Sequence, residues 1–310
     1  MSDWPKLDWP AWRETALHLQ LMTQIVGKVR LALTPWLNHG RHVPLYVTSR
    51  GLGTSQIPSE AGPFEIDFDF REHQLRIATA RGQALLVPLG AGSIAEFHDA
   101  TMAAIRDLGV AVRIATLPNE LPDPVRFFDD HAERPYDAAA VEAFHAALCR
   151  VDPVFKQFRT GFLGKASPVH FFWGSFDLAV TRFSGRAAPR HPGGVPGLPD
   201  AVTREAYSHE VSSAGFWPGS DAYPHAAFYS YAYPSPEGFA DVPVRPRAAR
   251  FDASLGEFLI DYDSVRSAPD PQAALTAFLE STYAAAADLG GWDRAALECA
   301  PGIPGVPRRA

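Results

Sequence analysis

Cysteine is scarce in this chain. Cys149 and Cys299 are the only two among 310 residues and lie far apart, with no CxxC pair and no Cys/His cluster. That spacing excludes a disulfide framework and a zinc finger of the usual pattern, and it leads us to expect reduced thiols in a cytoplasmic protein. Long apolar runs are also missing: none approaches the ~20 residues that a membrane-spanning helix needs, so no membrane partner is expected. The stretch from Met1 to Pro10 carries acidic residues and prolines where a secretory signal needs a basic start and an unbroken apolar core. Positive charge is in deficit, with 28 Lys and Arg against 35 Asp and Glu and a net charge of -7. A nucleic-acid partner is therefore not expected, because counterion release from phosphates needs clustered cations. Three chemical signatures are absent as well: a GxSxG elbow, a P-loop and an EF-hand loop. His209-Glu210 is not a zincin motif, since position 213 is Ser rather than His.

What is present suits a folded globular protein: 46% hydrophobic and 20% charged residues exclude a wholly disordered or fibrous chain. The length fits one large domain or two ordinary ones. Trp12, Leu17, Leu21, Ile25 and Val29 recur at helical spacing after Asp8, an expected N-cap, and the helix should stop at Thr34-Pro35. The period then becomes two. Strands are expected at 45–48, 64–70, 74–79 and 83–89, a helix over 93–108, and a further strand over 110–116. A third helix over 138–162 precedes strands at 168–183, 205–217, 226–233 and 256–262, with a Pro/Gly-rich loop at 187–200 and a last helix over 272–289 capped by Asp270. The predicted fold class is α+β, with antiparallel-rich strands packed on long helices. The halves 1–134 and 135–310 repeat the order helix, aromatic strands, helix, which suggests an internal duplication; they can form one compact unit, and the second half is expected to carry the site.

Several segments, Ser167 to Arg186, Arg204 to Gly219, His42 to Val47 and Phe64 to Phe70, resemble a bacterial family known only as a domain of unknown function. The most distinctive stretches read SPVHFFWGSFDLAVTRFSGR and REAYSHEVSSAGFWPG. The resemblance spans nearly the whole chain and implies no established activity.

Residues 168–233 crowd ionisable and aromatic side chains into strands. Because an unpaired buried charge costs several kcal/mol, some of these groups are expected to face a cleft or one another. His170, Glu205, His209 and Glu210 are the candidate catalytic residues, with a histidine as general base or metal ligand and a carboxylate orienting it. Arg182 and Arg186 are candidates to hold a carboxylate or phosphate, against the alternative of salt bridges to Asp177 and Glu205. Asp177 is a further candidate substrate-binding residue, and Trp173, Trp217, Tyr229 and Tyr231 are candidates to wall a pocket, against the alternative of plain core. If 205–211 is extended, Glu205 and His209 share a face roughly 13 Å apart at about 3.3 Å per residue, and a metal would need another ligand such as His170 or His225. If the segment is helical they stand one turn apart.

Two other features invite a function that a plainer reading also explains. Gly90-Ala91-Gly92-Ser93 opens a helix like a dinucleotide fingerprint, but Ser93 with Glu96 is equally a capping box. Glu65, Asp67 and Asp69 line one strand face and could gather a cation, or simply be solvated. The expected function is binding of a small anionic or aromatic metabolite in a cleft, with enzymatic turnover left open; a metal-dependent enzyme and a non-catalytic interaction protein are the alternatives. The residues name no cofactor, no bound metal and no oligomeric state.

Overall fold

The computed structural model describes residues 4–308, so the first three residues of the acidic start lie outside it. Helix α1 (Trp9–Leu33) opens the chain. Its Asp8 makes no side-chain cap and pairs instead with Lys6 at 3.1 Å, while Pro10 sits in the first turn where a missing donor does no harm. From Leu21 to Arg30 every residue is buried, so this stretch of the helix is enclosed on all sides. Its polar residues are consequently bonded. Gln24 exchanges hydrogen bonds with the Asn119 backbone at 2.8 and 2.7 Å, Lys28 donates to the Asn119 side chain, and Arg30 donates to the His42 and Pro44 carbonyls at 2.7 and 2.6 Å.

The first sheet is an antiparallel meander of β1 (Tyr46–Val47), β2 (Gly51–Gly53), β3 (Phe64–Asp69), β4 (Gln74–Thr79) and β5 (Ala84–Pro88), ordered β1-β2-β3-β4-β5. Phe64, Ile66 and Phe68 are buried on one face. On the other, Asp69 meets Arg50 at 2.6 Å and Glu65 meets Arg76 at 3.5 Å, so the acidic row is a salt-bridged surface. Helix α2 (Ile94–Asp107) follows. Its capping box is formed, with Glu96 N–H donating to Ser93 Oγ and Ser93 N–H to the Glu96 carboxylate, each at 3.2 Å. The glycines before it therefore serve a helix start. The strand expected at 110–116 does not form. Its side chains alternate in burial as a strand's do, but no neighbouring strand supplies hydrogen bonds.

Helix α3 (Ala138–Thr160) leads into the second sheet: β6 (His170–Phe172), β7 (Asp177–Ala187), β8 (His209–Trp217), β9 (Ala227–Tyr233), β10 (Arg250–Asp252) and β11 (Glu257–Asp261). All pairings are antiparallel, in the order β10-β11-β9-β8-β7-β6. The stretch expected as one strand over 168–183 is a hairpin, because Phe176 turns the chain with a φ of 57°. The expected strand over 205–217 is likewise split. Residues Asp200–Ala206 form α4, supported by Arg204 and Asp200 one turn apart at 3.0 Å, and β8 starts only at His209. Helices α5 (Tyr262–Arg266), α6 (Pro271–Leu289) and α7 (Arg294–Leu297) complete the chain, and Asp270 caps α6 by accepting from Ala273 N–H at 2.9 Å. One hydrophobic cluster runs through both halves, from Trp12 and Phe144 to Phe216 and Tyr283, and Leu45 bridges to Phe171. The two sheets differ in strand number and in edge order, so a repeat of the same unit does not emerge from their topology. Among the described residues, no helix is long and apolar enough to cross a membrane.

One face of the second sheet packs on α3 and α6. Phe228 meets Phe155 of α3, and Arg182 is enclosed there, its guanidinium 3.5 Å from the Phe158 ring and 4.3 Å from Tyr283. Arg182 also donates to the Phe158 carbonyl and reaches Glu280 at 3.7 Å. Its long side chain is part of the packing. Arg182→Ala should lower the unfolding free energy by about 3 kcal/mol in urea titrations, while Arg182→Met, which refills the space with apolar atoms, should recover most of that loss.

Candidate functional site

The opposite face of the second sheet gathers the chemistry. Alternation along the strands directs Asp177 and Thr181 of β7, Ser213, Gly215 and Trp217 of β8, Tyr229 and Tyr231 of β9, and Glu257 of β11 to this side. Cross-strand register then lines up Thr181, Ser213 and Tyr231. Thr181 Oγ1 and Ser213 Oγ are 2.9 Å apart, and Tyr231 Oη lies 3.0 Å from Tyr207 Oη, which arrives from the end of α4.

Arg41 extends this row from the first half. Two successive left-handed residues, His39 and Gly40, turn the chain after α1 and bring Arg41 onto the sheet. Its Nη2 donates to Thr181 Oγ1 at 3.1 Å and its Nη1 to His170 Nε2. A guanidinium can only donate, so His170 must accept on Nε2 and carry its proton on Nδ1, which donates to the Pro168 carbonyl at 2.8 Å. Burial and the adjacent Arg41 hold His170 well below the usual histidine range. It is therefore a neutral imidazole with its lone pair engaged, and it positions Arg41 rather than offering a base.

Gly215 makes the second row. A side chain there would run into the Tyr229 ring, which lies across β8 and delivers its hydroxyl to Asp177, where Ser175 also donates. Trp217, Tyr229 and Tyr231 stack in parallel, with centroids 5.0 and 6.1 Å apart. Around these rings stand three carboxyl groups. Asp177 is fully buried and raised by desolvation. Glu120, packed over Gly174, is raised to about 7 by burial and then by the charge of Asp177. Glu257 falls opposite Tyr231, one residue beyond the Phe258–Ser230 pair, and is raised to about 8 by burial, Asp177 and Asp252.

Three buried polar atoms on this face have no partner: Arg41 Nε, Trp217 Nε1 and Glu257 Oε2. Native proteins leave few such atoms unsatisfied. The face is roofed closely. Asn119, held by α1, donates to the Gly197 carbonyl at 2.8 Å, His191 stacks on Tyr207 at 5.0 Å, and Tyr233 donates to the Pro189 carbonyl at 3.0 Å. Yet Glu120, Tyr207, Trp217, Tyr231 and Glu257 remain half-buried rather than sealed. Two hollows of about 150 and 400 Å³ lie elsewhere, beside Phe64 and Thr79 and beside Met102 and Val112, and hold no comparable chemistry.

Of the residues singled out from sequence, His170, Asp177, Trp217, Tyr229 and Tyr231 come together here. The others do not join them. Arg182 is on the helix-packed face, and Arg186 bonds Glu210 at 2.6 Å and the Gly290 carbonyl at 2.6 Å, placing a cation at the end of α6. Trp173 is buried against α1 and donates to the Val43 carbonyl at 3.0 Å. Glu205 accepts from His39 N–H at 2.7 Å, and His209 meets the His39 ring edge-on at 5.3 Å, in a neighbouring cluster with Lys165. His225 is exposed. Among the described residues, no three His, Cys, Asp or Glu side chains are gathered closely enough to hold a metal ion, so the metal alternative finds no ligand set there. Sequence reasoning missed Arg41, Glu120 and Glu257. Arg41 follows the turn-forming Asn38-His39-Gly40, and Glu257 alternates with Phe258, which were the available signals.

The raised carboxyls make a pH prediction. A native carboxyl whose value stands above the ordinary 4.5 keeps its proton where the unfolded chain has lost it, so its contribution falls as pH rises toward 7 and 8. Thermal melts from pH 5 to 8.5 should show the Glu257→Gln protein losing less stability with rising pH than the unaltered protein. Equal slopes would mean that Glu257 titrates normally. Gly215→Ala should displace Tyr229 and destabilise the fold by about 1–3 kcal/mol in urea titrations.

Neither a curated protein nor a solved structure matches the chain. A family model does, over residues 4–299. The chain belongs to DUF5996, a family of unknown function.

Proposed function

We propose that the roofed face of the second sheet binds a small organic molecule, with the second half supplying the floor and the first half supplying Arg41 and Glu120 above it. The observation that carries this reading is the set of unpartnered polar atoms, Arg41 Nε, Trp217 Nε1 and Glu257 Oε2, among stacked aromatic rings. Each such group costs about 1–3 kcal/mol when left unmet, and here, unlike the unpartnered Arg182 Nε sealed among rings on the opposite face, the three belong to half-buried side chains that a ligand can reach. A ligand with a flat apolar body and polar ends would cover the rings and meet those atoms. Turnover is an extension of the same reading. Glu120 and Glu257, raised to about 7 and 8, are carboxyls able to give or take a proton near neutral pH.

One observation favours a second reading, in which the cluster only fastens the halves together: Arg41 and Trp173 both bond across them, to Thr181 and Val43. A thermal-shift screen against a library of soluble metabolites separates the two. A ligand at 100 times its Kd adds about 2.7 kcal/mol of stability. We expect a stabilising compound whose effect is reduced in Tyr229→Phe, reduced further in Glu257→Gln and kept in Arg186→Ala, which alters the exterior. Hits that persist unchanged in both site variants, or no hit at all, would leave the fastening role as the better account.

A further inference from the structure

We infer that the ligand of this face is an organic cation, an ammonium group on an aromatic or short aliphatic body. This rests on the binding reading above and narrows it. Asp177, Glu120 and Glu257 surround the ring stack, and Asp252 lies in register beside Glu257. Arg41 is the cation brought against them; its terminal nitrogens are engaged by His170 and Thr181, and its unpartnered Nε, like Trp217 Nε1, is left to meet an acceptor or ring face on the body of the ligand. The arginines first considered for an anion, Arg182 and Arg186, bond the Phe158 carbonyl and the Glu210 carboxylate away from this face. Carboxyl groups thus outnumber cations where the ligand would sit, and a bound ammonium would favour their ionised form.

The rings are an independent observation in the same direction. Trp217, Tyr229 and Tyr231 stack in parallel beside the half-buried Tyr207, and ring faces attract ammonium groups most strongly where water is excluded. Glu257 Oε2, buried without a donor, is an acceptor an N–H group can fill. A small divalent cation fits less well. It needs several oxygen ligands at close range, and no such set is gathered among the described residues.

Desolvation and mutual repulsion keep protons on these carboxyls near neutrality. An ammonium that binds the ionised form must drive a proton off, so binding should release protons into the buffer.

The test uses the full chain and matched trios of amine, alcohol and carboxylate built on phenyl, indolyl and butyl bodies, such as 2-phenylethylamine, 2-phenylethanol and 3-phenylpropanoate. Calorimetry at pH 7 in phosphate and in Tris reads both affinity and proton release. We expect at least one amine to bind about tenfold or more tighter than its alcohol, with proton release. Glu257→Gln should weaken it about tenfold and reduce the release, and Tyr229→Phe, which keeps the ring, should weaken it less. An alcohol or carboxylate binding as well as its amine, or an amine indifferent to Glu257→Gln, would overturn the cation assignment. If every trio fails while a neutral or anionic library compound binds in a manner sensitive to Tyr229→Phe, the charge assignment falls and the site stands. If nothing binds by either route, both fall together.

Discussion

A guanidinium taken out of water must be met by acceptors, and Arg41 is the group on which this constraint bears hardest. It reaches from the first half onto the second sheet, where its partners are the Thr181 hydroxyl and the His170 lone pair. Desolvation pulls it down to about 10. That contact dictates the tautomer of His170, which in turn fixes the ring on the Pro168 carbonyl, and the hydroxyl row of Thr181 and Ser213 continues across the strands. Buried polar chains of this kind are stable only when their members are satisfied. Three unpartnered buried atoms, Arg41 Nε, Trp217 Nε1 and Glu257 Oε2, lie around this chain beside half-buried rings, which is why the face reads as a place for something more than packing.

The same rule organises α1. A helical stretch enclosed on every side usually carries apolar residues alone. This one carries Gln24, Lys28 and Arg30, and each is spent on a segment that has no secondary structure of its own to hold it. Asn119 is fixed by the first two, and Glu120 follows directly from it. The roof of the site is therefore anchored by the central helix rather than by the sheet it covers. Lys28, lowered to about 8 by burial, shows that the anchoring is made at some electrostatic cost.

Much of the fold could be read from local pattern. The α1, α2, α3 and α6 helices and the strands at 64–69, 74–79, 227–233 and 257–261 fall where periodicity, Ser93 with Glu96, and Asp270 put them. The failures share a cause. Residues 110–116 alternate like a strand, but a strand exists only if a neighbour offers its backbone, and none does. Residues 205–211 straddle the end of a short helix and the start of β8, a boundary that alternation alone does not mark. The site was legible in part for the same reason. Asp177, Trp217, Tyr229 and Tyr231 share a face because period two puts them there, whereas Arg182, at an even position on β7, was bound to the opposite one.

The amino-acid sequence by itself determined the α+β class, the family, most of the regular elements and the density of polar and aromatic residues in the second half, because these depend on composition and on contacts a few residues apart. Only the tertiary structure decided which of those residues meet. Arg41 and Glu120 reach the second sheet from more than fifty residues away along the chain, and Arg186 is diverted to the carbonyls at the end of α6. Local pattern assigns a side chain to a face. What lies across from that face depends on how distant segments satisfy their buried charges, and no short-range signal carries that information.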